Sequence, residues 1–413
     1  MGVVAANGCE LDRFWKSIVE GESAAGKVTR FDTSGSPTHI AAEIHGFDPE
    51  AYMERKMAKR LTLSHQYAVA ASRLATRDAG VDFTQIDPDR CGVVEGTTCS
   101  SHETAIQTEL GFQKRGYRGV SPHGLASGYS GAGCGEIACE LGIRGHAVTV
   151  SSGSASGNDA IGYALSMIQH EEVDVMIAGG AEATLMGNIW GGLSMARVLT
   201  RQNEAPKQSM RPFDKSRDGL LLGEGAGFVA MEELAHALGR GARIYAEVLG
   251  HGRSCEAYHP VAPQPDGAGY YRAMEKGLRH AGLSVEEIDY INAHGTATEA
   301  NDRVEALAIQ RLFKEDSRRV AISSTKPVTG HLMGAAGALE TVVTALAVHH
   351  QIMPLTLNFS ESADGCDLDF LPGMSRPYPI RNAINLSSGF GGKNSCLILG
   401  RFPQVLCGSL SRF

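Results

Sequence analysis

The sequence predicts an α/β protein in which mostly buried sheets are layered with helices. Three observations carry that reading. Short apolar runs of strand length alternate with helix-periodic segments across 413 residues, several of those segments are rich in alanine, and tight glycine turns follow the strand ends. No proline-rich or low-complexity linker breaks the alternation, so the two halves are expected to pack as one body.

Taken in chain order, Leu63 to Asp78 reads as an alanine-rich helix. Val148-Thr149-Val150 reads as a buried apolar strand that enters the small-residue turn Ser151-Ser152-Gly153-Ser154-Ala155-Ser156. From Gly157 to His170 a helix follows, with Ile161, Ala164, Leu165 and Ile168 on its apolar face. Val173 to Ala178 is a short strand, stopped by Gly179-Gly180. A second half opens with a strand over Ala242 to Val248, then the helix Gly267 to Ala281 and the strand Ile288 to Asn292. Val320 to Ser324 and Ile384 to Ser387 are further strands, and Gly334 to His349 is a buried alanine-rich helix.

Composition narrows the function classes. A net charge of −8 argues against nucleic acid and anionic membrane partners, unless a local basic patch exists. No apolar run approaches the roughly 18 residues of a membrane span. The nine cysteines show no Cys-x-x-Cys spacing and follow no signal peptide, which implies reduced, mostly buried thiols, a cytoplasmic protein and no metal site.

Chemistry is concentrated at turns. Ser154 lies between a strand and a helix start, where a nucleophile is held under unpaired amides. Asn292-Ala293-His294-Gly295-Thr296 and Lys326-Pro327-Val328-Thr329-Gly330-His331 each follow a strand end, where α/β folds gather reactive groups. Glu340, on the helix after His331, is placed to satisfy Lys326, since buried charges are rarely left unpaired. Gly389-Phe390-Gly391-Gly392-Lys393-Asn394 offers turn amides that can face a reacting oxygen. Gly153-Ser154-Ala155-Ser156-Gly157 also fits the Gly-x-Ser-x-Gly elbow of α/β-hydrolases with Ser156 as nucleophile, but no His-Gly-Gly-Gly segment accompanies it.

Together with Asp214-Lys215-Ser216-Arg217-Asp218-Gly219 and Leu222-Gly223-Glu224-Gly225-Ala226-Gly227, these motifs resemble, in order, the β-ketoacyl-acyl-carrier-protein synthases. The match is to the type II elongating ketosynthases of fatty acid and polyketide pathways, from about Gly2 to Phe402. The resemblance implies a thiolase-like fold of five layers, with two halves (1–241 and 242–402) related by a pseudo-twofold and an extension over 403–413. It implies a dimer, with a second copy or a homologue, and no tightly bound cofactor. Substrates would arrive on the phosphopantetheine of an acyl carrier protein. His294 and His331 would carry decarboxylation and hold the enolate, and Lys326 with Glu340 would maintain their surroundings. The amides of Ser154 and Phe390 would form the oxyanion hole, within the turn from Gly389 to Gly391, and Phe390 would gate the acyl pocket. The pocket floor is expected across the dimer interface, near His123, Tyr129 and Cys134.

Three departures stand out. The family's nucleophile is cysteine, and Ser154 occupies that position, as an engineered Cys-to-Ser change or as a natural variant. Serine needs a base where cysteine needs only a lowered pKa, so loading should be slow while decarboxylation survives. A non-elongating partner subunit or a malonyl-carrier-protein decarboxylase is therefore the alternative reading. The family also opens with an apolar strand before the stretch matching Gly2 to Gly8, so either a central strand of the sheet is expected to be absent or the start of the sequence is assigned late. Lys393 stands where threonine is common. Finally, Arg55, Lys56, Lys59 and Arg60, with Arg201 and Lys207, match the segment that docks an acidic carrier protein.

Overall fold

The computed structural model describes residues 1–403. Ten strands form two five-stranded sheets. The first contains β1 (Gly2–Ala5), β2 (Cys91–Gly96), β3 (Ala147–Val150), β4 (Val175–Glu182) and β5 (Gly225–Glu232), in the order β1-β5-β4-β2-β3. The second contains β6 (Glu247–Cys255), β7 (Tyr290–Asn292), β8 (Ala321–Ser323), β9 (Asn382–Gly389) and β10 (Lys393–Gly400), in the order β6-β10-β9-β7-β8. In both sheets the first two pairings are antiparallel and the last two parallel. The halves therefore repeat one topology.

Helices complete the layers. Helix α1 (Leu63–Ala79), α2 (His102–Arg115) and α3 (Ala132–Leu141) belong to the first half, and α1 and α3 cover the outer face of its sheet. Two helices lie between the sheets: α4 (Ser156–Gln169) and, late in the chain, α7 (Ala336–His350). Helix α5 (Ala268–Ala281) covers the outer face of the second sheet and packs on α6 (Glu299–Phe313). The result is five layers, αβαβα. Every residue of α7 from Ala336 to Val348 is buried, as a helix enclosed by two sheets requires.

Several elements depart from the sequence reading. Gly179-Gly180 does not end its strand: β4 runs on to Glu182. Glycine is demanded there by close packing, since a Cβ on Gly179 would lie 2.2 Å from the Gly227 carbonyl oxygen. The second half's first strand begins at Glu247 rather than Ala242. Arg243 and Tyr245 turn instead to Asp78, which accepts from both. Strand β3 is not buried. It forms the sheet's edge, with Ala147 exposed and Val148 to Val150 half-buried, leaving one side of its backbone free to pair.

The stretch from Gly2 supplies a short strand of its own. Gly2–Ala5 itself pairs with β5 at the opposite edge, from Gly2 beside Phe228 to Ala5 beside Gly225. Of the eight described cysteines all are free thiols, but only Cys91, Cys134, Cys366 and Cys396 are buried, while Cys139 and Cys255 are exposed. Cys407 and nearly all of the expected extension lie outside the described residues. Among the described residues, no helix is long and apolar enough to cross a membrane, and no cluster of side chains is arranged to hold a metal ion.

Candidate active site

The site is assembled where the two halves meet. Strand β3 delivers the chain into the turn at Ser151, and Gly153 adopts φ 70°, which reverses it into α4. Only glycine suits that position, because a Cβ would also approach the Phe390 nitrogen to 3.4 Å and the Gly389 Cα to 3.3 Å. The Gly389-Phe390 turn is thereby pressed against the Ser154 backbone; a Cβ on Gly389 would sit 2.8 Å from the Ser154 nitrogen. Ser154 itself is buried, with Oγ 3.1 Å from His331 Nε2.

Ser156 is built differently. Its hydroxyl donates to the Gly153 carbonyl at 2.6 Å and accepts from the Ser152 amide at 2.9 Å, and the side chain is wholly buried. It ties the turn together and presents nothing to a cavity. The hydrolase elbow is thus absent in form as well as in accompanying motifs.

Each histidine is held by its backbone. The His331 amide donates to Leu221 O at 2.7 Å and its carbonyl accepts from the Gly223 amide, so the Leu222-Gly223 segment positions it. Glu305 on α6 accepts from the His294 and Gly295 amides at 2.7 and 2.8 Å. The two rings meet edge to face with centroids 5.4 Å apart. Burial, with the Lys326 charge second, holds both imidazoles well below their ordinary pKa, so both are neutral at pH 7.

Lys326 is wholly buried. Its Nζ donates at 2.5 Å to the His294 carbonyl and at 2.5 Å to Glu340 Oε1. Burial pushes the Glu340 acid up to about 7 against the opposing pull of Lys326. Ser154, His294, His331 and Phe390 line one cavity of about 210 Å³, together with Leu193, Val198, Leu220, Thr296 and Thr298. Three distant stretches, at 154, 294 and 331, therefore converge on one space.

Two acidic residues of α6 went unread in the sequence. Glu305 fixes the His294 turn, and Asp302 accepts from the Phe213 and Ala297 amides. Their signal was present: carboxylates on the first two turns of a helix that follows a histidine loop, facing unpaired amides. Asn158 and Asn385 were also missed. The Asn385 amide bonds Asn158 Oδ1, the Gly337 carbonyl and Thr341, joining α4, β9 and α7 under the nucleophile.

The expected docking residues divide. Arg55, Lys56 and Lys59 are exposed on and beside the single-turn helix Arg55–Ala58, and Arg201 and Lys207 are exposed on a separate loop. Arg60 is not a free cation, for its guanidinium is engaged by both oxygens of Glu136. Phe390 is 47% exposed at the cavity mouth, while Lys393 points outward at the start of β10. Cys134 is buried, whereas His123 and Tyr129 lie on the surface of the single chain.

The comparisons agree with this geometry. The profile of the β-ketoacyl synthase N-terminal domain matches residues 1–237, and that of the C-terminal domain matches residues 245–360. The chain belongs to the β-ketoacyl synthase family. It is 38% identical to 3-oxoacyl-[acyl-carrier-protein] synthase 2 of Coxiella burnetii over 401 residues, 97% of either chain. With the Vibrio harveyi protein of the same name it shares 36% over 405 residues, 98% of either chain. Among solved structures, a β-ketoacyl synthase from Burkholderia phymatum superposes with a TM-score of 0.91 at 33% identity, covering 97% of this chain and 98% of that one. The ishigamide ketosynthase/chain length factor gives 0.90 at 36%, covering 97% of each. The family's thiolase-like, five-layer architecture is what the two repeated sheets display.

Proposed function

We propose that the chain is a ketosynthase of a type II fatty acid or polyketide pathway, which joins an acyl group to malonyl-acyl carrier protein by decarboxylative Claisen condensation. The 3.1 Å contact between Ser154 Oγ and His331 Nε2 carries this reading, because it supplies the base that a serine needs in place of cysteine. Residues 1–241 bring the nucleophile, and 242–402 bring both histidines and the lysine.

In the first step His331 Nε2 takes the Ser154 proton as Oγ attacks the thioester carbonyl. The tetrahedral oxyanion is held by the Ser154 and Phe390 amides, and the pantetheine thiolate leaves with the proton from His331. Malonyl-carrier protein then loses carbon dioxide. The electron pair left behind forms an enolate, whose oxygen accepts from the N–H of neutral His294, which donates without a full charge to desolvate. The carbanion attacks the acyl ester, and the serine alkoxide departs and takes a proton from water. Lys326 polarises the His294 carbonyl and, with Glu340, keeps that loop in place.

Substrates would arrive on the phosphopantetheine of an acidic carrier protein, with no tightly bound cofactor, in the cytoplasm. Arg55, Lys56, Lys59, Arg201 and Lys207 would receive the carrier protein, with Arg60 bracing the docking segment through Glu136. The free edge of β3, with exposed Ile106, Leu110 and Phe112 on α2 and Leu125 and Tyr129 beyond it, suits a second copy or a homologous subunit. A type II polyketide ketosynthase solved with its acyl-carrier protein, and bound to the hexaketide, superposes at a TM-score of 0.90 and 30% identity.

A second reading is favoured by one observation: both histidines are intact while the thiol is missing. A malonyl-carrier-protein decarboxylase needs the former and not the latter, whereas a partner subunit that only shapes the cavity needs neither. Intact mass after incubation with acyl-carrier protein decides between them. An acyl adduct on Ser154 supports elongation; carbon dioxide release without any adduct supports decarboxylation alone.

A further inference from the structure

A carboxylate that the mechanism above leaves unused stands beside the nucleophile turn. Asp159 lies on the first turn of α4, with its side chain 15% exposed. Its Oδ2 accepts from the Ser152 hydroxyl at 2.6 Å, on the turn that carries Ser154. Its Oδ1 faces His251 Nε2 at 3.2 Å, and His251 belongs to β6 in the other half. A carboxylate can only accept, so Nε2 carries the hydrogen of that contact. Ser395 Oγ, on β10, lies 3.0 Å from the same nitrogen, and its hydroxyl completes the group around the carboxylate.

Burial works against a charge at this place, but the donors from His251, Ser152 and Ser395 outweigh it and hold the acid below the ordinary carboxylate value. Asp159 is thus an anion at neutral pH that gathers donors from the serine turn, β6 and β10. The backbone makes room for the arrangement. His251 packs so closely on α4 that a Cβ on Gly162 would lie 2.1 Å from its Nδ1.

These donors sit next to the two turns that meet at the nucleophile. Ser152 precedes Ser154, whose amide is one half of the oxyanion hole. Ser395 is on the strand that leaves the Gly389–Gly392 turn, whose Phe390 amide is the other half. The turns are pressed together, yet among the described residues no hydrogen bond joins them directly. Asn158 ties α4 to the Asn385 and Ser395 carbonyls but does not reach the serine turn. Asp159 does reach it, and connects the two turns through one carboxylate and its histidine.

We propose that Asp159 is a positioning residue for the oxyanion hole: by holding Ser152 directly and Ser395 through His251, it fixes the spacing between the Ser154 and Phe390 amides. The inference rests on the ketosynthase reading, which gives those amides their task. Without its acceptor, Ser152 is free to move as the turn rotates about Gly153, which sits at φ 70°. A misplacement of about 1 Å at a reacting centre costs on the order of a hundredfold in rate. Decarboxylation is spared, because its enolate is held by His294.

The test follows acyl-adduct formation on Ser154 by intact mass at saturating acyl-carrier protein. Asp159→Ala should slow the adduct by on the order of 30- to 100-fold, with malonyl-carrier-protein decarboxylation and carrier-protein affinity unchanged. Asp159→Asn, whose amide oxygen still accepts from Ser152, should recover most of the loss. Ser152→Ala should slow the adduct to a similar degree, and the double variant should be no slower than either single one. Should Asp159→Ala not fold, Ser152→Ala, which leaves α4 intact, carries the same comparison. A parent-like adduct rate overturns the proposal; so does an equal fall in adduct formation and decarboxylation, which marks general damage to the fold. If the parent protein forms no adduct, the ketosynthase reading fails at Ser154, and amide hydrogen exchange decides the Asp159 assignment by itself. Segments 151–155 and 389–393 should then exchange about tenfold faster in Asp159→Ala, the equivalent of one lost hydrogen bond, with the far end of α4 unchanged. Unaltered exchange in either segment, or loosening of the whole helix, rejects the tie.

Discussion

Ser154 Oγ and His331 Nε2 stand 3.1 Å apart, joined across 177 residues of sequence and held by different halves of the fold. That contact substitutes for the intrinsic acidity a thiol would have. A hydroxyl must surrender its proton as it attacks, and the neutral His331 is available to take it, but at a pKa held low by burial it is a weak base.

Ser154→Cys should therefore raise acyl transfer by at least about tenfold, because a thiol near pKa 8.5 is readily ionised beside an imidazole and a helix N-terminus. The thiolate should also draw a proton onto His331, raising its affinity for protons. Rapid-quench mass measurement of the acyl-enzyme and NMR titration of the imidazole check the two parts. An unchanged rate would place the limiting step elsewhere.

Ser154 and Ser156 should separate cleanly. Ser154→Ala should abolish the acyl adduct, leave malonyl decarboxylation measurable and change stability little. Ser156→Ala removes a hydroxyl that serves both the Ser152 amide and the Gly153 carbonyl, and should cost about 1–3 kcal/mol in chemical denaturation. The opposite ranking for activity would revive the hydrolase elbow.

Much of this site could be read from the chain because its parts are local. A nucleophile turn, two histidines after strand ends and a lysine with its carboxylate are each short motifs whose residue types declare their chemistry. Glu305 and Asp302 escaped because their partners are backbone amides of distant loops, which leave no mark on composition. Gly179-Gly180 misled for a related reason: glycine signals a turn locally, but here it admits the backbone of β5 and continues a strand. The edge position of β3 was hidden too, since its apolar side chains fit an unpaired edge as well as a buried strand.

Lys326 and Glu340 should show unequal costs. Glu340→Leu leaves an ammonium group buried with only the His294 carbonyl for company, and should destabilise by about 3–5 kcal/mol. Lys326→Met should cost less, because the Glu340 acid, already pushed up to about 7, escapes by keeping a proton. The double variant should recover most of the stability and none of the decarboxylation. Denaturation of all four proteins forms the cycle.

Charge reversal at Lys56 and Lys59 should weaken carrier-protein binding, and the loss should shrink as salt rises. Both side chains are exposed, so stability should be unaffected. Calorimetric titration at low and high ionic strength checks this. Arg60→Glu should behave otherwise, losing stability through its broken pair with Glu136.

The pH dependence of stability carries a sign that Glu95, wholly buried on β2, makes testable. Its folded pKa of about 8 lies above the ordinary carboxylate value of 4.5, so the folded state holds a proton that the unfolded state releases. That contribution is fully present below pH 4.5 and is lost as pH rises toward 8. His65 runs the other way: burial lowers it from 6.5 to about 4, so its contribution is lost as pH falls through that window. Glu95→Gln keeps the shape and removes the titration. Its melting temperature should therefore gain on the parent protein as pH rises from 5 to 8, by an amount equivalent to about 2–4 kcal/mol. Parallel melting curves for the two proteins across that range would mean that the Glu95 carboxyl is ionised and solvated, contrary to its enclosed position against Gly133.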